Sequence, residues 1–145
     1  MKLNAVAKGK LIHLEEVPDE MFSQKVLGDG FAIVPKDNWI YSPCDGEITM
    51  VFNTKHAIGI KTDNGKEIML HIGIDTVTLN GEPFDVYVNV GDVVKRGELI
   101  MSSDFNLISK KGLCPTIMTV IPNAEINHLV DSGYVEETTV VVEIK

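Results

Sequence analysis

Turn-forming residues punctuate this chain about every ten positions, and that rhythm restricts its fold more than any other feature. They stand at Gly28-Asp29-Gly30, Pro35-Lys36-Asp37-Asn38, Asp45-Gly46, Asn64-Gly65, Asn80-Gly81, Gly91-Asp92 and Arg96-Gly97. Between them run short segments rich in Val and Ile, such as residues 47–52, 85–90 and 138–144. β-Branched side chains suit a pleated surface, and the close spacing of turns leaves no room for long helices. The pattern predicts an all-β fold, a sandwich or barrel-like structure with one or two short helices. One helix is expected over residues 123–130, with Asn123 as N-cap and Gly133 near its end. The other is expected over residues 104–111, stopped at Gly112. A chain of 145 residues is long enough for one real core and too short for two comfortable ones, so a single domain over residues 1–145 is expected.

Composition narrows the partners. The formal net charge is −8, which makes nucleic acid and anionic membrane poor partners and favours a basic protein. No apolar stretch approaches the length of a membrane span, and residues 1–6 have no signal-peptide core. The lead before Gly9 is too short for an amphipathic tail, so no direct membrane insertion is expected. Cys44 and Cys114 lack paired metal-ligand spacing and read as reduced thiols in a cytoplasmic protein.

One hairpin carries the chemistry. Residues 55–61 and 67–72 both read as strands, and the Asn64-Gly65 pair between them favours the positive φ angles of a tight turn. If Asn64 and Gly65 alone form the loop, His71 lies across from Ile58, with His56 as its diagonal neighbour roughly 7–8 Å away. If the loop is the four residues Thr62 to Gly65, His56 faces His71 directly. Both registers place the two imidazoles on one face with Thr54, Ile58, Ile60, Met69 and Gly73, and turn Ile68, Leu70, Ile72 and Ile74 into the core. A single histidine in a strand is usually structural. Two on one face of one hairpin, with a threonine two residues before the first, mark a site. His13 and His128 have no comparable context and read as structural or surface residues.

The run from Gly65 to Val77, with three apolar residues before His71 and Ile72-Gly73-Ile74-Asp75-Thr76-Val77 after it, is similar to the active-site signature of the glucose-type IIA proteins of the bacterial sugar phosphotransferase system. The similarity extends to residues 17–23 and 25–30, to Ser42-Pro43 with Asp45-Gly46, and to Thr54-Lys55-His56-Ala57. The resemblance implies an antiparallel β-sandwich in which His71 accepts a phosphoryl group from the phosphocarrier protein HPr. It implies onward transfer to a cysteine of a IIB domain, with His56 stabilising the phosphoryl group and Thr54 orienting His56. Regulatory protein targets occur in some relatives. Partly by position in the family pattern, Met21, Phe22, Leu27, Phe52, Ile58 and Met69 are candidates for the docking surface, and Asp19 and Asp75 for contacts with basic residues of a partner.

Imidazole suits such a shuttle. A phosphorylated ring nitrogen is of intermediate stability, attack requires a neutral ring, and two adjacent imidazoles each disfavour charging of the other. His56 can donate to a phosphoryl oxygen, and Gly73 is expected to leave room beside the ring for a partner's side chain. No cofactor is needed. The turn at residues 90–97 is of the kind that closes lipoyl and biotinyl carrier domains, but the hairpin tips lack the exposed lysine such carriers use. Two rival readings remain. One is a zinc-dependent hydrolase, for which His56 and His71 fall one ligand short unless a partner supplies a carboxylate. The other is a regulatory binding module that is never phosphorylated.

Overall fold

The computed structural model describes residues 1–145. The first strands are β1 (Lys2–Asn4), β2 (Gly9–Ile12), β3 (Asp29–Pro35), β4 (Trp39–Tyr41) and β5 (Gly46–Val51). The central hairpin is β6 (Ala57–Lys61) with β7 (Glu67–Ile72), followed by β8 (Phe84–Val86), β9 (Val93–Val94) and β10 (Leu99–Ser103). The chain ends with β11 (Ile117–Ile121), β12 (Ile126–His128), β13 (Gly133–Val135) and β14 (Val140–Ile144). Helices are confined to α1 (Glu20–Ser23) and α2 (Phe105–Lys110), with 3-10 turns at Leu14–Glu16 and Thr76–Leu79. The fold is all-β, as the turn rhythm predicts, and antiparallel, as the family resemblance implies.

The helices are two, but one is not where the sequence suggested. α2 forms as expected, and the Asp104 side chain caps it by accepting from the Leu107 N–H at 3.1 Å. Residues 123–130 do not form a helix. Ile126–His128 is a strand, with Ile126 paired to Ile144 and His128 to Val142. Asn123 sits at φ 54, whereas an N-cap needs extended backbone. α1 was not anticipated, because four residues are too few to show a helical stripe. Asp19 caps it, accepting from the Met21 N–H at 2.9 Å.

The largest sheet has eight strands in the order β13-β2-β3-β11-β7-β6-β5-β9, and two three-stranded sheets, β1-β14-β12 and β4-β10-β8, complete the molecule. One face of the large sheet supplies Phe31, Ile33, Ile58, Ile60, Ile68, Leu70, Ile72 and Ile117 to the main core, where they meet Leu3, Ile40, Met101 and Val142 of the smaller sheets. Thr119 shares this core-facing parity and buries a hydroxyl with no hydrogen-bond partner. The opposite face is covered mainly by residues 14–23, which pack Leu14, Val17 and Phe22 onto Ala32, Met118 and Val120, with Ile74 in the same cluster. The site lies on that thinly covered face.

Register decides what the hairpin displays. Thr62 N–H bonds Lys66 O at 2.9 Å and Gly65 N–H bonds Thr62 O at 2.9 Å, so the loop is Asp63-Asn64-Gly65, with Gly65 at φ 83. This three-residue form is neither of the two anticipated. It pairs Ala57 with His71, Ile58 with Leu70 and Ile60 with Ile68. A shift of one residue exchanges faces, so Ile58 and Ile60 join the core, while Met69 and His71 remain on the outer face. Ile58 is 0% exposed and is no part of a docking surface.

Candidate functional site

β7 carries His71 onto the outer face, beside Met118 of the neighbouring strand. The Phe22 ring of α1 lies against it, with centroids 5.1 Å apart. Just after the strand the chain turns at Gly73, φ 77, which brings the Gly73 carbonyl back to within 2.8 Å of His71 Nδ1. A carbonyl can only accept, so Nδ1 carries the proton and Nε2 keeps its lone pair. The turn itself is crowded. A Cβ on Gly73 would come within 2.4 Å of Thr76 Cγ2 and 3.1 Å of the Cys114 carbonyl. Gly73 therefore serves the backbone and the ring tautomer; it is buried, and opens no space for a partner's side chain.

His56 lies outside β6, in the loop that joins β5 to β6, and its ring stands 5.0 Å from that of His71 at 76°. Thr54 Oγ1 is 2.6 Å from His56 Nδ1. With the hydroxyl donating, the ring proton sits on Nε2, free to serve as a donor. Phe52 closes the other side, its ring 5.1 Å from His56. The two histidines and the threonine meet as the sequence suggested, by a different path.

Both imidazoles are held below the ordinary histidine range. For His71 the cause is burial, opposed by the bond to Gly73 and then by the charges of Asp19 and Asp75. For His56 it is burial, followed by the neighbouring His71. Each ring is thus neutral at pH 7. Cys44, the chain's buried thiol, is pushed up to about 12 by burial and offers no nucleophile.

The rim is mixed. A hollow beside His71 is lined by Asp19, Met21, Phe22, Leu27, Asp75 and Val77. Met21 and Leu27 are exposed, and so is Val77, which sequence reasoning missed; it closes the signature run and carried no separate signal. Phe22 is only 6% exposed and supports the His71 ring rather than displaying itself. Met69, half-buried, lines a different hollow with Met50 and Pro122. No three His, Cys, Asp or Glu side chains gather as a metal-binding group, and the two imidazoles alone fall short of the three ligands of a catalytic zinc. His13 meets Asp131 at 2.9 Å and stacks edge-on with His128 at 5.0 Å, a cluster of its own.

Comparison with known proteins bears on this constellation. Residues 1–126 match the family described as phosphoenolpyruvate-dependent sugar phosphotransferase system, EIIA 1. The glucosamine-specific EIICBA component of Bacillus subtilis (strain 168) is 44% identical over 125 residues, covering 84% of this chain and 20% of that protein. The glucose-specific EIIA component of Oceanobacillus iheyensis is 44% identical over 131 residues, covering 90% of this chain and 79% of its own length. The chain thus spans about a fifth of the multi-component relative. Among solved structures, glucose permease IIA from Mycoplasma capricolum superposes with a TM-score of 0.87 at 38% identity, covering 98% of this chain and 94% of that one.

Proposed function

The chain belongs to the EIIA 1 family of the phosphoenolpyruvate-dependent sugar phosphotransferase system, and from that premise we propose that it carries a phosphoryl group on His71 Nε2, taken from phospho-HPr and delivered to a cysteine of a IIB domain. The observation that carries this reading is the bond from His71 Nδ1 to the Gly73 carbonyl, which leaves Nε2 unprotonated. Its lone pair attacks phosphorus as the bond from phosphorus to the donor breaks and the donor leaves with that electron pair. Positive charge grows on the ring, and the Gly73 carbonyl, Asp19 and Asp75 offset it. His56 Nε2–H donates to a phosphoryl oxygen, and Thr54 holds that ring in place. The transition state is loose, so alignment and charge do most of the work. In the second step IIB's thiolate attacks the same phosphorus and the His71 lone pair returns.

Support for IIB as the acceptor comes from the relatives named EIICBA, whose names join that component to EIIA. The sugar stays unassigned, since the relatives divide between glucosamine and glucose. A cytoplasmic address fits two unpaired thiols and the lack of any helix long and apolar enough to cross a membrane. The exposed rim residues Met21, Leu27, Phe52 and Val77, with the half-buried Met69, take part in docking.

The test is intact mass after incubation with phospho-HPr. Wild type should gain one phosphoryl group and His71→Gln none. His56→Gln should gain it, yet lose it to IIB roughly 10²-fold more slowly, the usual cost of a displaced transition-state donor. Full labelling of His71→Gln would overturn the assignment, as would zinc-dependent hydrolysis without any labelling.

A further inference from the structure

His56 reaches the site against the alternation of β6, the strand it precedes. Its carbonyl accepts from the Ile72 N–H at 2.7 Å, which places its backbone opposite Ile72, and the Ile72 side chain lies in the main core with Ile58 and Ile60. Were β6 to run on regularly through residue 56, that side chain would follow residues 58 and 60 into the core. The ring stands instead on the outer face, against His71 and Phe52.

One unusual backbone conformation accompanies the departure. Lys55 sits at φ 59, in the left-handed region, and no other residue from 52 to 57 has positive φ. The turn around it is closed by Lys55 N–H to Phe52 O at 2.8 Å and by Phe52 N–H to Ala57 O at 3.1 Å. Phe52 thereby pairs with Ala57, and His56 is left out of the ladder with β5. Thr54 and His56 flank Lys55, so the same bend sets their 2.6 Å contact. The Lys55 ammonium joins none of the ion pairs of the molecule.

We propose that Lys55 is a positioning residue of the phosphoryl-transfer site, acting through its left-handed backbone, which turns the His56 imidazole from the core face to the face of His71. The claim rests on the carrier reading above. Its chemistry is specific: residues that tolerate the left-handed region, glycine and asparagine first, preserve the geometry, whereas a β-branched side chain opposes it. The ammonium is dispensable.

The experiment compares Lys55→Gly, Lys55→Ala and Lys55→Val in the full chain. Three quantities are read: phosphoryl uptake from phospho-HPr, onward transfer to IIB, and the ¹⁵N resonances of the His56 ring in the free protein. Lys55→Val should take up phosphate and pass it on about ten- to a hundredfold more slowly, the usual range for a misplaced catalytic group, with altered His56 resonances. Glycine at this position should rescue transfer to within about twofold of wild type, and alanine, which removes the charge, should do nearly as well. In the background of His56→Gln, adding Lys55→Val should slow transfer no further, since both act through one ring. Lys55→Thr is a second β-branched variant should Lys55→Val not fold.

Equal slowing by glycine and valine would overturn the proposal, as would additive effects in the double mutant or unchanged His56 resonances in the β-branched variant. If wild type took up no phosphate, the carrier reading would fall, and the His56 resonances would still decide the positioning claim.

Discussion

A ring nitrogen that attacks phosphorus, the role proposed for His71, must be unprotonated, and burial of that ring favours this state. The ordinary histidine value is 6.5, and both His71 and His56 lie below it. Followed by ¹⁵N shifts across a pH series, each ring should stay neutral as pH falls through 6.5 and become charged only further down; a midpoint at or above 6.5 for His71 would contradict the geometry. The same displacement is linked to stability. The unfolded chain takes up protons at these positions from 6.5 downward while the folded chain resists, so the stabilisation is complete above 6.5 and is lost as pH drops below it. Urea midpoints should therefore decline with acidification in that window. The decline should be shallower in His71→Gln, which has one fewer depressed imidazole.

The turns that join the strands set where these rings stand. The Gly73 turn joins β7 to the 3-10 turn at Thr76–Leu79, and the Thr76 hydroxyl secures it by donating to the Ile72 carbonyl at 2.5 Å. Gly73→Ala should cost roughly 2–3 kcal/mol in urea unfolding, because a Cβ meets both a positive φ and the Thr76 methyl. In β11, Thr119→Val should gain about 1 kcal/mol, since it removes an orphaned hydroxyl without changing shape; a loss of stability would mean the hydroxyl has a partner. The hairpin and α2 were legible in the sequence, because turn and helix-stop chemistry are local signals; His56, His71 and Thr54 meet as expected, but not through either of the registers that the pattern offered. The faces of β6 were not legible. Asn64-Gly65 announces a turn but not its length, and a loop of three inverts the alternation read from either two or four. Ile58 went from rim to core on that one residue. The left-handed backbone at Lys55 then restored His56 to the outer face, and lysine gives no local warning of it. β12 was mistaken for a helix because three residues cannot declare a period.

On the scale of the whole molecule, charge and topology frame the site. The net charge of −8, together with Asp19 and Asp75 around the hollow at His71, should steer a basic donor protein toward His71. Uptake from phospho-HPr should slow as salt rises, and Asp75→Lys should lower the association rate about tenfold at low ionic strength while differing little from wild type near 1 M. A rate insensitive to salt would remove the steering account. The eight-stranded sheet ends on β9, two residues long, and on β13, three residues long. An open sheet of that breadth is a standing template for a neighbouring chain, which can zip onto any long run of unsatisfied amides. Clipped margins of two and three residues offer such a chain little foothold, so the sheet that holds the two imidazoles is guarded against strand addition by the shortness of its own edges.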